Sequence, residues 1–169
     1  MPTTATKAQR HQERWQEIAD DPALEGLPYK IETNARGQIV LSPPKAQHSD
    51  LQGRVLDMLR DVGSEGRGMP EFPIATEGGV RVPDVVWVPA GRLEDLTGTG
   101  DPPTRAPDVC VEVMSDSNDE AEMREKRKLY LSAGAEEVWV VGQEGEVRFY
   151  AGEGRVAASK LVPDFPEEV

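Results

Sequence analysis

The sequence predicts one α/β domain, built on a mixed sheet flanked by helices and carrying a β-hairpin towards each end. Three observations lead there. "DVCVEVMS", "NDEAEMREKRKLYLSAG" and "EEVWVV" read as strand, helix and strand over residues 108–141, which implies a parallel pair joined by a crossover helix. "YKIETNARGQIVLS" reads as two short strands around a turn rich in Asn and Gly. "GQEGEVRFYAGEGRVAASKLVP" closes the chain with short strands separated by glycine turns, and 169 residues suffice for a single core.

In chain order, residues 5–19 predict a helix with Trp15, Ile18 and Ala19 as a narrow apolar stripe. It forms an N-terminal helical extension, residues 1–27, ahead of the main domain at 28–169. After the hairpin, "PPKAQHSDLQGRVLDMLRDVG" predicts a helix, because Leu51, Val55, Met58, Leu59 and Val62 recur at helical spacing and Gly63 can end it. His48 lies one turn before Leu51, on the same inward face. "FPIATEGGVRVPDVVWVP" supplies one or two strands, and "AGRLEDLTGTGDPPTRAP" reads as a polar loop. Tyr130 and Trp139 are expected to fill the core between helix and sheet, and Asn118 or Asp119 to cap the crossover helix.

Net charge is −12, from 31 acidic and 19 basic residues. This disfavours electrostatic wrapping of DNA, since phosphate binding rests on lysines and arginines. It leaves room for a local basic cleft and suits a site that collects divalent cations. No apolar run is long enough to span a membrane and the first residues lack a signal-peptide core, so a cytoplasmic protein with no membrane partner is expected. The single Cys110 excludes an internal disulfide and a multi-cysteine zinc site, and reads as a small buried residue.

Two core-like strands each carry one internal acid, Asp84 in "RVPDVVWV" and Glu112 in "DVCVEVMS". A bare carboxylate is costly inside a sheet, so the two ask for a common explanation. On neighbouring strands they could share a divalent cation, and Mg²⁺ suits a site of one or two carboxylates that keeps several waters. At about 100° per residue, Lys126 falls inside the helix stripe of Met123, Tyr130 and Ala133, whereas Lys128 points away. An inward lysine beside two acids could orient an attacking water or stabilise a transition-state phosphate.

These residues resemble the Uma family of restriction-endonuclease-like proteins, within the PD-(D/E)XK nuclease superfamily. The resemblance runs through "ETNARGQIVLSPPKAQHSD", "RVPDVVWV" and "PDVCVEVMSDSNDEAEMREKRKLYLSAGAEEVWVV", roughly residues 28–165. It implies a restriction-endonuclease-like fold and metal-dependent hydrolysis of phosphodiester bonds, with DNA as the nucleic-acid partner. Asp84 and Glu112 then correspond to the metal-binding acids for Mg²⁺ or Mn²⁺. The superfamily's usual lysine lies two residues after the second acid, where this chain has Met114; in this family it comes from the following helix, at Lys126. His48 matches the family's helix-opening histidine, and Glu32 an acid in the first hairpin strand, both as accessory candidates. Cutting two strands would suit a homodimer.

Other readings remain open at this level. Asp84 could bond to backbone at a strand kink, Glu112 could face solvent by simple alternation, and Lys126 could snorkel to the surface; His48 reads more readily as a helix-start or packing residue, and Glu32 as a surface strand residue. The chain could equally be a non-catalytic interaction module on the same fold, or a nuclease acting on RNA or small nucleotides.

Overall fold

The computed structural model describes residues 3–152 and 154–169. The chain begins with α1 (Lys7–Ala19), the hairpin β1 (Lys30–Thr33) and β2 (Ile39–Ser42), and α2 (Ala46–Val62). Four short strands follow, β3 (Arg67–Pro70), β4 (Ile74–Thr76), β5 (Gly79–Arg81) and β6 (Val85–Val88), then a short α3 (Arg92–Thr97). The unit β7 (Val109–Val113), α4 (Glu120–Ser132) and β8 (Glu137–Val141) leads into the hairpin β9 (Val147–Ala151) and β10 (Gly154–Val156).

The central sheet has the order β10-β9-β8-β7-β6-β3, and two hairpins, β1-β2 and β4-β5, stand outside it. β7 and β8 are parallel, as the strand-helix-strand pattern requires, and the other pairs of the sheet are antiparallel. α4 makes the crossover. Asp119 opens it by accepting a hydrogen bond from the Glu122 amide, which settles the choice of cap. α1 opens with a reciprocal Thr6–Gln9 capping box and packs on β4 and β5.

The central strands are buried on both faces, so alternation sorts apolar residues between two cores instead of between core and water. On one face Leu51, Val55 and Leu59 of α2 pack on Val85, Val109 and Val111. Trp139 belongs to this face, 4.5 Å from Phe165 and 5.3 Å from Phe149 between ring centroids. It therefore sits across the sheet from α4. On the other face Tyr130 packs with Ile74, Val86, Cys110 and Val138. Cys110 is fully buried, and burial pushes its thiol pKa up.

Two local readings need correction, and one strand is new. "RGMP" forms the edge strand β3, whose Gly and Pro content hides it from propensity. The expected polar loop contains α3, pinned by the fully buried Leu96. "VRVPDVVWVP" is not one interrupted strand: Arg81 ends β5, Val85 begins β6, and Asp84 occupies the joint between them.

Behind the sheet, Glu137 ties the C-terminal segment down. Its carboxylate accepts from Trp139 Nε1 (2.8 Å), Ser159 Oγ (2.7 Å) and the amides of Lys160 (2.8 Å) and Leu161 (3.2 Å). Truncation strands all of these donors, and a buried unsatisfied group costs roughly 1–3 kcal/mol. Glu137→Ala should therefore lose about 3 kcal/mol in urea unfolding, and Glu137→Gln less; a Glu137→Ala protein as stable as wild type would show that the segment is held by packing alone.

Candidate active site

The joint at Asp84 is fixed from several sides. Its carbonyl oxygen accepts from the Gln52 side chain and the Glu71 amide, both at 3.0 Å. Val85 pairs with Val111 across antiparallel β6 and β7, so the register carries Asp84 opposite Glu112. Directly opposed residues project to the same side of a sheet. Asp84 Oδ2 also accepts from the Val113 amide at 2.7 Å, which turns the carboxylate towards the end of β7.

Two nitrogen donors reach Asp84 from other elements. Lys30 Nζ, from β1, lies 3.0 Å from Oδ1, and His48 Nε2, from the first turn of α2, lies 3.2 Å from Oδ2. His48 thus points at an acid rather than into the core beside Leu51. Burial would raise the Asp84 pKa, but Lys30, the His48 bond and the Val113 amide outweigh it and hold the carboxyl well below its usual range. The bond to Asp84 raises the His48 pKa in turn.

The second acid has a different setting. Glu112 is 2% exposed, beneath α4 instead of in solvent. Tyr130 donates its hydroxyl to Oε1 at 2.5 Å, and Lys126 Nζ lies 3.4 Å from Oε2. Burial dominates, and despite Lys126 and Lys30 the Glu112 pKa is pushed up to about 7. Lys126 is itself buried and does not snorkel; its other partner is Glu32 Oε1 at 3.3 Å. Glu32 Oε2 accepts from the Val82 amide at 2.7 Å. Burial raises the Glu32 pKa, but Lys126, Lys30 and that amide bring it below the ordinary value.

Asp84, Glu112, Lys126, His48 and Glu32, all singled out from the sequence, line one cavity of 630 Å³ together with Lys30. Lys30 was not anticipated. Its signal was the two-residue period of β1, which puts Lys30 on the same side as Glu32. Tyr130 was expected only as core filling; it stands one helical turn after Lys126, which is what lets both reach Glu112. Asp116 pairs instead with Lys45 (3.4 Å) and Gln143 (2.6 Å), and Asp119 is committed to its cap. Met114, where the superfamily's usual lysine would be, contacts Arg148 through its sulfur.

Chemically, the cluster offers two carboxylates at one sheet end, a buried ammonium against one of them, and hydrogen bonds that set the orientation of each. Among the described residues no three His, Cys, Asp or Glu side chains are arranged to hold a metal ion. A cation here would have Asp84 and Glu112 as its protein donors.

A family model described as "Putative restriction endonuclease" matches residues 13–166. No curated protein matches the chain. Among solved structures, a "putative nuclease" from Anabaena variabilis is similar with a TM-score of 0.62 at 16% identity, covering 78% of this chain and 83% of that one; the likeness is one of fold. The matched span holds the whole acid and lysine cluster, and the chain belongs to the Uma2 family, "Putative restriction endonuclease".

Proposed function

We propose that the protein is a metal-dependent endonuclease that hydrolyses phosphodiester bonds in DNA, with Asp84 and Glu112 holding one Mg²⁺ or Mn²⁺. One observation carries the reading: an acid at the β5–β6 joint and an acid on the neighbouring β7 meet at one cavity with a buried lysine against the second acid. The donor set fits the ion. Mg²⁺ prefers hard oxygens, takes one or two carboxylates and fills its remaining positions with water and substrate phosphate, so no closed protein cage is required.

When bound, the cation supplies charge stabilisation for the phosphate and makes a water easier to deprotonate. The chain's own residues do the positioning. Tyr130 fixes Glu112 through Oε1 and leaves Oε2 towards Lys126. Lys126, held between Glu32 and Glu112, presents an ammonium that orients the attacking water. Lys30 and His48 keep Asp84 ionised and in place. A second reading, an interaction module without turnover, has one observation in its favour: the lysines already balance the buried acids, so the fold does not need a cation.

Calorimetric titration of Mn²⁺ separates the two. Wild type should bind saturably, and folded Asp84→Ala and Glu112→Gln should lose that binding; weak, equal uptake by all three would favour the module. If the titration succeeds, Lys126→Met should cut plasmid nicking by about 100-fold, in line with the loss of one well-placed electrostatic group, while changing Mn²⁺ affinity only slightly. Unchanged nicking would remove Lys126 from the reaction.

The metal-free protein carries a pH signature. Glu112 ionises at about 7 when folded, against 4.5 ordinarily. Between those values the folded state keeps a proton that the unfolded chain has released, so this group's contribution to stability falls as pH rises. The full effect is about 3 kcal/mol. Glu112→Gln should therefore gain on wild type between about pH 5 and about pH 7.5 in urea unfolding measured without metal; a constant difference would mean that Glu112 ionises in the ordinary range.

A further inference from the structure

A second concavity, of 390 Å³, is lined by Lys7, Arg10, His11, Arg14, Arg36 and Glu77, among others. Four of these side chains are cationic, in a chain whose net charge is −12. The grouping follows from two elements. At about 100° per residue, Lys7, Arg10 and Arg14 fall on one side of α1, and Glu13 and Glu17 fall beyond Arg10. Arg36 comes from the β1–β2 turn, where the Asn34 side chain accepts from the amides of Arg36 (3.0 Å) and Gln38 (3.1 Å).

Arg14 locks the two elements together. Its Nε donates to Gly37 O at 3.0 Å and its Nη1 meets Glu17 at 2.7 Å. Gly37 has φ +74°, a left-handed conformation that glycine adopts without strain. His11, buried beneath, forms the floor. Lys7, Arg10 and Arg36 remain exposed and, among the described residues, none of them forms an ion pair. On α2, by contrast, Arg54 pairs with Asp50 and Arg60 with Asp57.

The first hairpin contributes residues to both this concavity and the acid cavity. β1 carries Lys30 and Glu32 at one end and leads to Arg36 at the other, at most about 13 Å from Glu32 at 3.3 Å per residue. The span is therefore no more than a few base-pair rises of 3.4 Å. Between the two lies Arg81, which lines the acid cavity and acts electrostatically on both Glu32 and His11.

We infer that this basic concavity docks the phosphate backbone of the nucleic acid whose scissile bond lies at Asp84 and Glu112. The inference rests on the nuclease reading and adds the surface that holds the substrate in an otherwise acidic protein. Backbone contacts set register without reading sequence, and each neutralised phosphate contributes about 0.9 to the logarithmic salt dependence of binding.

The test is binding of a fluorescent 20-bp duplex in EDTA, across a salt series, to wild type, to the triple variant Lys7→Ala/Arg10→Ala/Arg36→Ala, and to Arg54→Ala/Arg60→Ala/Arg155→Ala, which removes equal charge elsewhere. All these positions are exposed, so folding is expected to survive. The concavity variant should bind at least about tenfold more weakly at low salt, with a salt slope smaller by about 3, while the control variant stays near wild type. Equal losses in both variants, or no duplex binding by wild type, would overturn the inference. So would inorganic pyrophosphate binding to the concavity without displacing the duplex. If nothing is ever cleaved yet the concavity variant alone loses binding, the nuclease reading fails and the docking surface stands.

Discussion

Three carboxylates lie buried together in this protein, and their charge has to be cancelled inside the fold. Lys126 stands between Glu32 and Glu112, Lys30 and His48 close on Asp84, and the Tyr130 hydroxyl and the Val82 and Val113 amides take up further oxygens. These partners come from the first hairpin, α2, α4, the β5–β6 joint and β7. The network therefore fixes how elements outside the main sheet sit against it. Removing Lys126 would take the shared ammonium from both Glu32 and Glu112 in a medium that solvates charge poorly, which is far more damaging than either pair is stabilising.

The sheet accommodates this network asymmetrically. Towards α2 and the C-terminal segment its face is covered by aliphatic and aromatic side chains, with Trp139 stacked among Phe149 and Phe165. Towards α4 the apolar layer runs through Val138, Cys110 and Val86 and then gives way to Glu112 and Asp84 at one end of the strands. Tyr130 marks the change, its ring in the apolar cluster and its oxygen on Glu112. An apolar layer that stops at a strand end leaves polar groups gathered around a cavity without cutting the core in two.

Much of this was legible in the chain. Strong periodicity specified α2, α4 and the parallel β7–β8 pair, and the misfit of Asp84, Glu112 and Lys126 with their apolar surroundings singled them out. Less could be read where the signal is not local. β3 has a sequence fit for a turn and becomes a strand because β6 offers it a partner. α3 is too short to display a period and depends on Leu96 finding the interior. Lys30 looks like any exposed strand lysine until the hairpin folds over the sheet end. Simple alternation left Glu112 undecided, because only the presence of α4 makes both faces of β7 interior.

Met114 and Lys126 carry one more consequence. The lysine reaches Glu112 from a helix, across a 14-residue separation, while the position two residues after that acid holds a thioether. A search string that demands acid, spacer and lysine in succession would pass over this chain. A three-dimensional template that asks only for two carboxylates at adjoining strand ends and a nitrogen beside one of them would retrieve it, whatever route the backbone takes to deliver that nitrogen.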